Sequence, residues 1–193
     1  MAKKTPQEPN YFVMTCEGLY PAAAVRKVTK VPGGPWFDGQ PLKIRVPEPV
    51  VFAVDPDYPG ELKPFYKGSV PLMRDDLVKA LTEAGVDNLQ LFPAVVQDKK
   101  KKKEHTNFKV FNVIGVISAA NMGDSTVMGT SGATKIDVDF DSLVLDESKI
   151  GGALLFRLAE SVSAIVVHKR IKEHIEASKI PGMTFYGPGE WSG

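Results

Sequence analysis

Short apolar runs separated by proline and glycine are the feature that most limits what this chain can fold into. Its 193 residues include 15 prolines and 17 glycines, and these two residue types mark turns between regular elements. Short runs rich in Val, Ile and Phe, bounded by such turns, predict β-strands. The predicted strands cover residues 11–16, 42–46, 50–54, 88–96, 108–117, 136–140, 143–145, 154–158 and 183–186.

Two segments carry the spacing of an amphipathic helix. In the first, apolar residues recur at i, i+4, i+7, i+8 and i+11, and we expect this helix to begin near residues 69–71 and to end at Gly85. In the second, residues 169–178, an apolar stripe lies under a charged outer face. Because strands dominate, we predict an α+β fold in which two amphipathic helices pack on a mainly antiparallel sheet. The stripes are Met73, Leu77, Ala80, Leu81 and Ala84 in the first segment and Val167, Ile171 and Ile175 in the second.

The length of the chain is close to the usual size of one domain. No linker or internal repeat divides it. The first ten residues are polar and contain two prolines. We therefore predict a flexible N-terminal arm over residues 1–10 and a single α+β domain over residues 11–193.

Five consecutive lysines, Lys99 to Lys103, separate the predicted strands 88–96 and 108–117. These strands most simply form an antiparallel hairpin with a charged tip. A run of this kind is usually a solvated tip, and the alternative is a grip for phosphate or for an acidic partner. Residues 119–135, rich in Gly, Ser and Thr, predict a long irregular loop.

Charge and cysteine content narrow the class of partner. With 24 Lys and Arg against 23 Asp and Glu, the net charge is +1, so we predict no nucleic-acid partner. No apolar stretch reaches 18 residues and the start lacks a signal-peptide core, so we expect no membrane contact and a cytoplasmic location. Cys16, the single cysteine, fits a reducing compartment and is more typical of a small buried side chain than of a nucleophile.

Catalytic motifs are not evident, even in the densely patterned region 143–185. Gly123 to Ser125 lacks the Gly-x-Ser-x-Gly spacing of a nucleophile elbow, and Gly129 to Lys135 lacks the residue order of a phosphate loop. The pair His168 and His174 is six residues apart, which does not place both on one side of a helix. We predict a protein without enzymatic activity, cofactor or metal.

An acidic segment leaves an alternative open. Asp137, Asp139 and Asp141 alternate with apolar residues, as the outer face of a strand does, although a metal-binding cluster could produce the same pattern. The longer acidic patch from Asp137 to Glu147, which includes Asp146, could instead face a basic partner.

Two further residues are candidates for partner binding. Trp36 stands beside Gly and Pro, where aromatic side chains often anchor an interface, although a core position is the more common role. Arg157 interrupts the apolar run 154–158 on the face opposite Phe156. It could anchor a partner carboxylate, or simply be exposed or paired within the fold.

The order of these elements resembles one bacterial protein family across nearly the whole chain. The chain is similar to the predicted immunity proteins of polymorphic toxin systems, in the eleventh immunity class, formerly a domain of unknown function typified by a myxobacterial protein. The segments that carry the resemblance are Trp36 to Leu42, Pro71 to Met73, Asn88 to Pro93, Phe108 to Val113, Leu145 to Gly151, Leu155 to Leu158, the stretch on to His174, and Ile180 to Phe185.

This resemblance implies stoichiometric binding of a cognate toxin, with no chemistry by this chain. On that basis the expected contact residues are Trp36, Arg157 and Asp146. Two alternatives remain: a regulatory or scaffolding module with a host signalling partner, and an enzyme with an unrecognised site. Neither the partner's identity nor the oligomeric state follows from the sequence.

Overall fold

The computed structural model describes residues 8–128 and 138–193. Within these ranges the chain forms two α-helices, α1 (Asp75–Glu83) and α2 (Lys169–Ala177), and one short 3₁₀ turn at Glu147–Lys149. The strands in chain order are β1 (Tyr11–Thr15), β2 (Val25–Lys27), β3 (Val50–Val54), β4 (Phe65–Tyr66), β5 (Leu72–Arg74), β6 (Leu89–Asp98), β7 (Lys103–Val113), β8 (Val116–Ile117), β9 (Thr126–Val127), β10 (Phe140–Ser142), β11 (Leu155–Leu158), β12 (Ile165–His168) and β13 (Thr184–Tyr186).

Two larger sheets and one small one organise these strands. The six-stranded sheet has the order β2-β3-β6-β7-β5-β4, and the five-stranded sheet has the order β13-β1-β12-β11-β8. The small sheet pairs β9 with β10. All of these pairings are antiparallel except β3 with β6 and β8 with β11. The predicted α+β fold with mainly antiparallel sheets is confirmed.

A central core lies between the two larger sheets and under both helices. Met14 and Leu155 reach it from the five-stranded sheet, Met73 and Phe111 reach it from the six-stranded sheet, and Leu77 reaches it from α1. Each large sheet also covers a second apolar cluster on its other face, because successive side chains of a strand point to opposite sides. Both sheets are therefore buried on two faces over much of their length.

The first helix begins later than predicted. Residues Leu72–Arg74 are a strand that pairs with β7, and Arg74 is extended, with φ −82° and ψ 148°. Met73 nevertheless faces the same central core as Leu77, so a stripe that looked like one helix belongs to a strand and a helix in succession. The predicted end is confirmed, since α1 stops at Glu83 and Gly85 follows with φ +100°.

Residues 42–46 do not form the predicted strand. The alternation is real, because Leu42 and Val46 are buried while Lys43 and Arg45 are exposed. The backbone of Leu42, however, is bonded by a side chain: its N–H donates to Oε1 of Gln90 at 2.8 Å and its carbonyl accepts from Nε2 at 3.2 Å. A glutamine amide thus takes the place of a neighbouring strand.

The charged hairpin is confirmed and extends further than predicted towards its tip, but its second strand ends at Val113, and Val116–Ile117 form β8 of the five-stranded sheet. β6 and β7 pair from Leu89 with Val113 to Asp98 with Lys103. The turn at its tip is closed by Asp98, whose Oδ1 accepts from the N–H of Lys101 at 2.9 Å. Lys99 to Lys102 are exposed in this turn.

The acidic segment contains less strand than expected. Residues 143–145 make only one isolated bridge, Ala120 with Leu145, and no strand. Residue Asp137 and part of the predicted loop 119–135 lie outside the described residues.

The end of the proposed N-terminal arm contacts the fold, since Asn10 donates from its backbone and side chain to Glu147, both at 2.8 Å. Residues 1–7 of that arm are outside the described ranges, and its flexibility stays a prediction.

Candidate functional site

Trp36 was expected at a contact surface, and the structure places it in the core. Its side chain is 3% exposed, and its ring packs edge to face on Phe92 with centroids 6.1 Å apart. This cluster covers the outer face of the six-stranded sheet. The indole is buried, which agrees with the core position given above as the more common role of this tryptophan, and a role in partner binding stays a prediction.

Arg157 is also buried rather than exposed, at 2% of its surface. Its Nη1 donates to the carbonyl of Val162 at 2.8 Å, and the ring of Phe37 lies 4.6 Å from the guanidinium carbon. Its Nε and Nη2 have no hydrogen-bond partner among the residues that the structure describes. Burial lowers the pKa of Arg157 to about 10, which leaves it charged at neutral pH.

A network of backbone bonds holds Phe37 over this guanidinium. The N–H of Arg157 donates to the carbonyl of Gly115 at 3.0 Å, and the N–H of Gly115 donates to the carbonyl of Gly39 at 2.9 Å. Gly39 has φ +68°, and a Cβ there would lie 2.8 Å from the backbone nitrogen of Val116, so only glycine fits this close approach. The segment from Trp36 to Gly39 therefore packs Trp36 on one sheet and Phe37 against Arg157 of the other.

A cavity of about 240 Å³ lies beside this guanidinium. Phe65 and Pro71 border it from the six-stranded sheet and its neighbouring loop, and Arg157 and Ile165 border it from the five-stranded sheet. Lys67 stands at its exposed rim. Partial removal from water is the largest cause that lowers the pKa of Lys67, and the charge of Arg157 lowers it further, against the opposing charge of Glu17.

Asp146 has a local structural role. Its side chain accepts from the N–H of Ser148 at 3.2 Å and so caps the 3₁₀ turn, and it pairs with Lys149 at 3.1 Å. The hydrogen bond from the Ser148 hydroxyl is the largest cause that lowers the pKa of Asp146. With a third of the side chain exposed, its part in partner binding stays a prediction.

Elsewhere in the acidic segment, Asp139 and Asp141 are exposed. No group of three or more His, Cys, Asp or Glu side chains that could hold a metal ion occurs in residues 8–128 and 138–193. Cys16 is buried, and its burial raises the pKa of the thiol, which disfavours the thiolate that a nucleophile needs.

Sequence reasoning missed two tyrosines that the structure exposes. Tyr20 is 97% exposed and Tyr58 is 66% exposed. Their loops are joined, because the N–H of Ala24 donates to the carbonyl of Tyr58 at 3.0 Å and that of Glu61 donates to Pro21 at 3.0 Å. One feature of the sequence could have identified them: both tyrosines directly precede a proline. Aromatic residues held on rigid loops are favoured contact residues.

Close contact between the two tyrosine loops depends on Gly60. A Cβ at that position would lie 2.5 Å from the carbonyl oxygen of Pro21, which is closer than van der Waals contact allows. The absence of a side chain therefore permits the two loops to pair.

The lysine turn lies beside the Tyr58 loop. A second cavity, of about 120 Å³, is bordered by Pro56 and Pro59 of that loop, by Arg26 of β2 and by Lys99 to Lys101. Tyr20, Tyr58, Arg26 and Lys99 to Lys101 together make up what we call the loop surface. It combines two exposed aromatic rings with four cations, beside two carboxylates of the cavity wall, Asp55 and Asp98, of which Asp98 pairs with Lys101 at 3.6 Å.

Comparison with known proteins identifies the family. No curated protein matches the sequence at a significant level. In the part of the chain that the structure describes, no helix is long and apolar enough to cross a membrane. The family model described as the immunity protein family Imm11 matches residues 4–189, which is nearly the whole chain. The resemblance seen in the sequence is thus confirmed, and the chain belongs to the Imm11 immunity protein family.

Proposed function

We propose that this protein neutralises a cognate bacterial toxin by binding it stoichiometrically, in the cytoplasm, without making or breaking a covalent bond. Membership of the Imm11 immunity protein family carries the proposal. The arrangement of the described residues supports it, because the most accessible aromatic side chains stand on paired loops rather than around a cluster of catalytic groups.

The loop surface is the contact region that we propose. Tyr20 and Tyr58 are large side chains with few rotatable bonds, so little conformational entropy is lost when a partner covers them. Interfaces draw most of their affinity from a few such aromatic anchors. The neighbouring Arg26 and Lys99 to Lys101 outnumber the two carboxylates beside them, Asp55 and Asp98, and this excess of positive charge favours a toxin surface that is acidic around an aromatic-binding pocket.

Growth rescue tests this function. Cells would express the product of the gene adjacent to this one, the first candidate for the toxin, with and without this protein. We expect growth to be restored by the wild-type protein, and equal killing in both cultures would contradict the proposal. An inactive toxin variant, mixed with the purified protein, should give a complex of one copy of each chain by light scattering.

Substitution of the tyrosines tests the contact region separately. Tyr20→Ala and Tyr58→Ala should each weaken toxin binding by roughly 30-fold, which corresponds to about 2 kcal/mol for an aromatic anchor. Met122→Ala is the matched control, because Met122 is 49% exposed on a different loop. If growth rescue holds while both tyrosine variants bind like this control, immunity stands and another surface makes the contact.

A further inference from the structure

The cavity beside Arg157 has the composition of a ligand site. Its walls are largely apolar, with Phe37, Phe65, Pro71 and Ile165. Two cationic side chains, Arg157 and Lys67, also line it, together with Gly68 and Ser163. Small-molecule sites typically combine apolar walls with a few polar groups that fix the orientation of the ligand. This cavity lies between the two large sheets and apart from the loop surface, so it is independent of the proposed toxin contact.

Arg157 supplies the hydrogen-bonding group that lacks a partner. Only Nη1 is bonded, to Val162, and Nε and Nη2 are unpaired in the described structure. These two nitrogens share one edge of the planar guanidinium, and that edge forms two parallel hydrogen bonds with a carboxylate. The ring centroid of Phe37 lies 4.6 Å from the guanidinium carbon, and Nε and Nη2 are themselves buried in this conformation.

None of the described residues that line the cavity is acidic, although the charge of Glu17 acts on Lys67 at the rim. None of the ion pairs found between described residues includes Arg157. A buried guanidinium without a counter-ion is costly, because desolvation is not offset by an opposite charge. Lys67 at the rim adds a second positive charge to the same cavity.

We propose that this cavity binds a small organic carboxylate, whose two oxygens accept from Nε and Nη2 of Arg157 while its apolar body lies against Phe37, Phe65 and Ile165. The volume of about 240 Å³ lies below the range of drug-sized sites, which indicates a ligand of few heavy atoms. Each of the two nitrogens exposes less than 1 Å², so the ligand reaches them through a side-chain shift of the kind common on binding.

Calorimetric titration of the purified protein tests the site, with sodium acetate and sodium benzoate as probes and chloride to hold the ionic strength constant. Benzamide, the neutral counterpart of benzoate, is the control ligand. We expect at least one of the two carboxylates to bind at one site with a dissociation constant on the order of 1 mM. Benzamide should bind at least ~10-fold more weakly than benzoate, since it cannot pair with the cation.

Two variants assign the binding to this cavity. Arg157→Met should weaken carboxylate binding at least ~10-fold through loss of the bidentate pair, and Lys67→Met should weaken it roughly 3-fold through loss of one nearby charge. Lys79→Met is the matched control, because it removes the same charge from an exposed position on α1. Should Arg157→Met fail to fold, Lys67→Met and the benzamide comparison decide the question.

Three results would overturn the proposal. They are no saturable binding of either carboxylate, benzamide binding as tightly as a benzoate that binds, and unchanged affinity in a folded Arg157→Met or in Lys67→Met relative to Lys79→Met. Failure of the toxin proposal would leave these measurements unaffected, because they use this protein alone.

Discussion

The Trp36 to Arg157 region and the loop surface differ in what burial allows their side chains to do. Trp36 and Arg157 are of the residue types that dominate interfaces, yet they are 3% and 2% exposed. Trp36 packs on the outer face of the six-stranded sheet, and Arg157 packs against Phe37. Tyr20 and Tyr58 are of equally favourable type and are 97% and 66% exposed. Residue type therefore indicates a candidate interface anchor, and the accessibility of the side chain decides whether it can contact a partner.

The largest effect that we expect in this comparison is on stability, at Trp36. Trp36→Ala removes a ring buried against Phe92 and should lower the free energy of unfolding by about 3–5 kcal/mol, as large core truncations do. Urea denaturation followed by circular dichroism measures it. A variant with wild-type stability and weakened toxin binding would instead make Trp36 an interface residue.

Arg157 should show an intermediate effect that depends on pH. Because burial lowers its pKa to about 10 in the folded protein, the unfolded chain binds more protons above that pH. The contribution of Arg157 to the free energy of unfolding should therefore rise as the pH increases from about 10 towards the pKa of this side chain in the unfolded protein. Urea denaturation of the wild type and of Arg157→Met from about pH 9 to 11 gives the difference in their free energies of unfolding. This difference isolates the contribution of Arg157 ionisation to stability.

In that series, the wild type should gain stability relative to Arg157→Met as the pH rises. A difference that is flat, or that moves in the opposite direction, would mean that the guanidinium is solvated or paired and that the cavity does not hold an isolated cation.

Asp146 should have a smaller effect on stability, and this effect should be lost at low pH. Its pKa is lowered, first by the Ser148 hydroxyl, so its contribution is present above the unfolded pKa and is lost as the pH falls through the folded value. Asp146→Ala should reduce the melting temperature modestly near neutral pH, and by less at acid pH. Asp141→Ala, at an exposed aspartate in the same region, is the matched control for the loss of one carboxylate.

The smallest stability effect should come from the loop surface. Tyr20→Ala and Tyr58→Ala remove exposed rings, and each should change the free energy of unfolding by no more than about 0.5 kcal/mol. Thermal and urea denaturation check this. A loss of several kcal/mol in either variant would show that the tyrosines support the fold, and the contrast with Trp36 would fail.

Local patterns in the sequence predicted much of the fold. Periodicity predicted β1, β3 and the β6–β7 hairpin, because each has enough alternating or continuous apolar residues to specify a buried strand. It failed at residues 42–46, where the alternation is that of a strand but the hydrogen bonds come from Gln90. Periodicity also placed the start of α1 too early. Met73, in a strand, and Leu77, in the helix, face the same core, so their spacing looked like that of one helix.

The candidate sites were harder to predict than the fold. Alternation correctly placed Arg157 opposite Phe156, but not its burial, which depends on Phe37 and on a second sheet more than forty residues away in sequence. The exposure of Tyr20 and Tyr58 likewise results from the pairing of two distant loops. Contacts between distant segments leave no local periodicity in the chain.

Titration of this protein into a fixed amount of the active toxin that we propose as its partner, sought first in the product of the adjacent gene, tests the central claim most directly, with residual toxin activity as the readout. Stoichiometric binding predicts a linear fall in activity that ends at one molecule of this protein for each molecule of toxin. Continued loss of toxin activity over time at substoichiometric amounts, or no loss at a large excess, would contradict the account.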